Sequence, residues 1–154
     1  AYVPVVEQGG LLHISGQLPF RDGQVVTGRL GADMDEATGY DAARRCALML
    51  VAQIGNAVGG DWSRVEKIVK LGVFVNSEPG FTGQPKVANG ASELMESVFG
   101  EAGRHARSAV GVAVLPLGAA VEEHLDARGD ERAVAHGLQG NGFVAATRDG
   151  TMTG

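Results

Sequence analysis

A single arginine interrupts an otherwise apolar run, Arg107-Ser108-Ala109-Val110-Gly111-Val112-Ala113-Val114-Leu115-Pro116. A guanidinium offers parallel N–H groups that match a carboxylate in both position and plane. A glutamate follows shortly, in Ala119-Ala120-Val121-Glu122. If these consecutive segments are neighbouring strands, Arg107 and Glu122 face one cavity. The arginine could then hold an organic acid while the glutamate places a water or moves a proton. A structural ion pair at a sheet edge is the alternative that the residues leave open.

Other chemistries find less support. His13, His105, His124 and His136 show no H-x-x-x-H or H-E-x-x-H spacing, and one cysteine cannot supply a thiolate pair, so no metal site is expected. His13 alternates with apolar neighbours and reads as a hydrogen-bonded structural residue. Gly9-Gly10 and Gly59-Gly60 lack the context of a phosphate loop. Ser15 precedes Gly16 outside any G-x-S-x-G elbow. Cys46 falls on the apolar face of a helical pattern, where burial would raise its pKa and leave it inert.

The elements that must position these groups are legible from periodicity. Tyr2 to Glu7 and Leu11 to Ser15 read as strands around the hairpin turn Gln8-Gly9-Gly10, and Gln24-Val25-Val26 reads as a short edge strand. From Asp35 the period changes. Ala43, Cys46, Ala47, Leu50, Val51, Ile54, Ala57 and Val58 make one apolar helix face, ended by Gly59-Gly60. Asp61 can cap a single turn at Trp62. Ile68 to Val75 is a central strand, and Lys86 to Phe99 is a second amphipathic helix closed by Gly100 and Gly103. Ser108 to Leu115 alternates like a strand, and Pro116-Leu117-Gly118 turns the chain into a last strand, Ala119 to Leu125. The order ββ(β)αβαββ predicts an α+β architecture, a mixed β-sheet with two helices packed on one face.

A chain of 154 residues suits one such domain. The expected division is a domain over residues 1–125 and a C-terminal extension over residues 126–154, whose Gly, Ala, Asp and Arg keep no regular period. Within that extension Phe143-Val144-Ala145-Ala146-Thr147 is a candidate edge strand, for this sheet or a neighbouring subunit's. A net charge of −5 argues against nucleic acid as the main partner. No apolar run approaches the roughly 18 residues of a membrane span. One cysteine allows no intramolecular disulfide, and no signal-peptide pattern precedes the first strand, so a reducing cytoplasm is the expected compartment.

Three motifs resemble a known family. Leu12-His13-Ile14-Ser15-Gly16-Gln17-Leu18-Pro19 is similar to its "hydrophobic-x-S-G-Q-hydrophobic-P" motif. Arg107-Ser108-Ala109-Val110 through Leu115-Pro116 resembles its "R-S-x-V-x-V-x-x-L-P" motif, and Gly118-Ala119-Ala120-Val121-Glu122 its final "x-V-E" strand. By these the chain is identified as a member of the YjgF/RidA family, also labelled L-PSP endoribonuclease or translation inhibitor. The resemblance covers about Tyr2 to Glu122.

The resemblance implies a chorismate-mutase-like fold and a homotrimer with clefts between subunits. It implies hydrolysis of reactive 2-imino or 2-amino-enoic acids, such as 2-aminoacrylate, to 2-keto acids and ammonia, with no cofactor. Arg107 matches the arginine that binds the substrate carboxylate, and Glu122 the glutamate that positions the hydrolytic water. Ala109 lies where the family often has cysteine, and its backbone N–H would meet the same carboxylate. Ser15 and Gly16 belong to the motif that faces substrate across the interface. Tyr2 matches a pocket-lining tyrosine, and Asn89 an asparagine on the second helix.

The partners implied are a small 2-imino or 2-keto acid and two further copies of the chain. A carboxylate-binding regulatory trimer and an RNA-cleaving translation inhibitor are the alternatives. After Glu122 the family continues with an apolar residue and a second glutamate. Here Glu123-His124-Leu125 stands instead, which puts Glu123 where a side chain is normally buried.

Overall fold

The N-terminal chain folds back on itself because Gly9 and Gly10 both adopt positive φ, 60° and 79°, the conformation of a two-residue hairpin turn. This joins β1 (Val5–Gln8) to β2 (Leu11–Gln17). The computed structural model describes residues 1–130. Among the described residues β3 (Phe20–Arg21) and β4 (Gln24–Val25) form a two-stranded sheet with each other, so the short strand expected around Gln24 lies outside the main sheet.

Helix α1 spans Glu36–Ala57. Asp35 caps it by accepting a hydrogen bond from the Thr38 N–H at 2.8 Å, and that bond holds the Asp35 carboxyl below its ordinary pKa. Its stripe of Ala43, Cys46, Ala47, Leu50 and Ile54 is fully buried. Asp61 caps the 3-10 turn Trp62–Arg64 that follows. β5 (Val65–Asn76) is longer than its apolar run because two register shifts against its partner keep Ile68, Leu71, Val73 and Val75 on one face. α2 (Gln84–Phe99) and a 3-10 turn, Gly100–Gly103, then lead into β6 (Ala106–Val112). The last strand, β7 (Val121–Gly129), runs well past Leu125, across the expected domain boundary.

The five-stranded sheet has the order β1-β2-β7-β5-β6. β5 and β6 are parallel, linked by α2, and the other pairs are antiparallel. Both helices cover one face. On β7 the odd positions Val121, Glu123, Leu125 and Ala127 are buried beneath them, while Glu122, His124, Asp126 and Arg128 project from the opposite, open face. This is the expected mixed α+β layer, with the core between sheet and helices. The extension beyond residue 130, including Phe143 to Thr147, lies outside the described residues.

Candidate functional site

Among the described residues β6 is an edge strand, and Arg107 pairs with Leu71 of β5. Directly paired residues share a face, so Arg107 lies on the helix side with Ala109, which pairs with Val73. There α2 presents Asn89 and Ser92, one helical turn apart. Arg107 Nη1 donates to Asn89 Oδ1 at 2.9 Å and to Ser92 Oγ at 3.0 Å. Among the described residues, only Nη1 of this guanidinium is engaged, so the Nη2/Nε edge keeps its two-pronged geometry.

His105 completes the cluster. Its Nδ1 sits 2.6 Å from the Gly103 carbonyl and its Nε2 sits 3.0 Å from Ser92 Oγ. Ser92, Glu96, Gly103, Arg104, His105 and Arg107 line a cavity of about 230 Å³. Ser92 and His105 were not among the residues singled out by sequence. The signal was present in two spacings, Asn89-x-x-Ser92 on one helix face and His105-x-Arg107 at the entry to β6.

Glu122 stands elsewhere. β5 separates β6 from β7, and Glu122 pairs with Phe74 on the open face. Arg107 and Glu122 are therefore on opposite faces of the sheet within one chain. Two sequence expectations fail here, the shared cavity between neighbouring strands and the edge ion pair. Consecutive strands are usually adjacent, but here the parallel crossover through α2 puts β6 on the far side of β5.

The surroundings of Glu122 are well defined. Its Oε1 is 2.9 Å from His124 Nε2, and its side chain is 18% exposed. Across the strand pair, β2 carries an extra residue between Ile14 and Gln17, a bulge at Ser15 and Gly16. Any Cβ at position 16 would overlap the Glu122 carboxylate and crowd His124. Ser15 donates from Oγ to the Val3 carbonyl at 2.8 Å, fastening the N-terminal segment, and Tyr2 at its tip is 87% exposed. Of the expected site residues, Asn89, Arg107 and Ala109 gather on the helix face. Ser15, Gly16 and Glu122 gather across β2 and β7.

Beneath this second group lies an unusual core pair. Glu123 is fully buried, and among the described residues neither carboxylate oxygen has a hydrogen-bond partner. Burial raises its pKa well above the carboxylate range. Cys46 is buried nearby, its thiol 3.5 Å from the Val121 carbonyl; burial first, then Glu123 and Glu122, push that thiol well up. Cys46 is core, as its helix position predicts.

No helix of the described residues is long and apolar enough to cross a membrane. Residues 1–127 match the profile of the family described as "YjgF/chorismate_mutase-like, putative endoribonuclease". The chain is 59% identical over 123 residues to protein TCP17 of Trypanosoma cruzi, covering 79% of this chain and 76% of that one. Its fold is similar to that of Atu1372 from Agrobacterium tumefaciens, with a TM-score of 0.82 and 47% identity over 84% of this chain and 82% of that one. It also resembles the YjgF gene product of E. coli, at TM-score 0.55 and 29% identity, over 83% and 87% of the two chains. With matching motifs, matching fold and a profile that spans most of its length, the chain belongs to the YjgF/chorismate-mutase-like family.

Proposed function

We propose that the protein hydrolyses reactive 2-imino or 2-amino-enoic acids to 2-keto acids and ammonia, with Arg107 binding the substrate carboxylate. One observation carries this reading. Asn89 and Ser92 fix one end of the Arg107 guanidinium, and among the described residues its other edge stays unpaired beside a cavity of about 230 Å³. That volume suits a few-carbon acid. A held guanidinium loses little rotamer freedom on binding, so most of its attraction for the carboxylate is retained.

The opposite-face placement of Arg107 and Glu122 supports a composite site. One copy would contribute Asn89, Arg107 and the Ala109 backbone, and a second copy the Tyr2, Ser15, Gly16 and Glu122 side. A homotrimer would assemble three such sites and cover the open sheet faces that carry Val6 and Phe74. Sedimentation should then give three times the 15.9 kDa chain mass. A monomer would remove the composite site.

Glu122 would hold the attacking water, and positioning would supply most of the rest for so reactive a C=N bond. The direct test is keto-acid release from an imine generated in the assay. The wild type should accelerate it, and Arg107→Ala should abolish the acceleration. The family's endoribonuclease description is the second reading. RNA cleavage that vanishes with Arg107→Ala would favour it, although a net charge of −5 supplies little attraction for phosphates.

A further inference from the structure

The cavity beside Arg107 contains a hydrogen-bonded chain that carboxylate binding alone does not use. A carbonyl oxygen only accepts, so the 2.6 Å contact with Gly103 puts a hydrogen on His105 Nδ1. In the neutral ring Nε2 is then the acceptor, and at 3.0 Å it takes the hydroxyl proton of Ser92. Arg107 Nη1 donates into one lone pair of the same hydroxyl. All donors run one way, from Arg107 through Ser92 and His105 to the Gly103 carbonyl. Ser92 Oγ keeps one lone pair for a water in the cavity.

We infer that Ser92 and His105 form a proton relay that serves the substrate held by Arg107. The inference rests on the deaminase reading above and supplies what one chain otherwise lacks on this face, since Glu122 lies on the other. The substrate enters as an iminium, C=NH2+. Water oxygen bonds to the carbon as the C=N π pair moves to nitrogen. The water gives a proton to Ser92 Oγ, whose own proton passes to His105 Nε2. The neutral carbinolamine and an imidazolium result. The imidazolium returns its proton through Ser92 to the amine, the C–N bond breaks with its pair leaving on ammonia, and the hydroxyl proton is released as C=O forms. Iminium and water thus yield keto acid and ammonium, with the relay restored.

Ser92 touches the reacting water and is a catalytic residue. His105 acts only through Ser92 and is a positioning residue. The charged groups around it are Arg107 on β6, Arg104 with its ion-pair partners Glu96 at 2.9 Å and Glu101 at 3.2 Å, and Lys67 of β5, which donates to the Glu101 carbonyl.

The test compares keto-acid release across pH for wild type, Ser92→Ala, Ser92→Thr, His105→Gln and Arg107→Ala. Glutamine can still accept from Ser92 but cannot take up its proton, so His105→Gln separates proton transfer from support. The relay predicts that Ser92→Ala and His105→Gln lower kcat by about tenfold or more with KM little changed. Ser92→Thr should restore most of the rate. Wild-type kcat should fall on acidification, because an imidazolium accepts no second proton, and that limb should vanish in His105→Gln. Unchanged kcat and an unchanged pH profile in His105→Gln, with Arg107→Ala inactive, would overturn the relay and leave the deaminase reading standing. Full activity in Arg107→Ala would overturn both.

Discussion

Position 16 has no room for a side chain because the carboxylate of Glu122 lies where its Cβ would be. The overlapping atoms are the tips of Glu122 and His124, which can swing away, so Gly16→Ala should fold. We expect it to cost no more than about 1 kcal/mol in urea denaturation. Displacing Glu122 should nevertheless lower the deaminase rate by about tenfold. A fully active Gly16→Ala would separate Glu122 from the chemistry.

Arg107→Lys keeps the charge but loses both the Asn89–Ser92 anchorage and the two-pronged edge. Each charge-assisted hydrogen bond is worth about 1.5–3 kcal/mol. A fall in kcat/KM of about 100-fold is expected, carried mainly by KM if the arginine binds ground and transition states alike. Near-normal KM for a 2-imino acid, with a collapsed kcat, would instead assign Arg107 a transition-state role.

Glu123 should limit stability in a pH-dependent way. Folding raises its pKa, so the folded protein holds it neutral while the unfolded chain ionises it. Stability from this group is full below the unfolded value, near 4.3–4.5, and is lost as pH rises toward the raised folded value. Glu123→Val fills the position with apolar atoms beneath α1. Denaturation at pH 8 should show a gain of about 1–3 kcal/mol, shrinking at pH 5. A gain that is the same at both pH values would mean the carboxyl is not held neutral.

The two helices cross where α2 has no side chain. A Cβ on Gly90 would strike the Tyr40 carbonyl, a backbone atom that cannot step aside. Gly90→Ala should therefore push α1 from α2 and cost about 1–3 kcal/mol, read as a lowered urea midpoint. An unchanged midpoint would show that the helices separate freely.

Much of this molecule was legible in one dimension. The i, i+3, i+4 apolar stripe of α1, the Asp61 cap of the turn at Trp62, the Gly9-Gly10 turn and the buried Cys46 all follow from residues close in sequence, and the structure repeats them. β5 exceeds its apolar run, since its bulged start mixes Glu66 and Lys67 with core residues and hides the alternation. Glu123 was foreseeable as a buried charge from its place beside Glu122, because alternation sends adjacent strand residues to opposite faces.

The sequence by itself determined the candidate residues, Arg107 and Glu122 among them, and most of the local elements that hold them. Tertiary structure alone decided where those residues point. Strand order arises from pairings between residues tens of positions apart, such as Leu71 with Arg107 and Phe74 with Glu122. The bulge at Ser15 and Gly16 arises from the still more distant pairing of β2 with β7, such as Leu12 with Ala127. No local period encodes such pairings. They put β5 between Arg107 and Glu122 and turned the two to opposite faces, while the packing of α2 on the sheet brought Ser92 to the guanidinium and to His105.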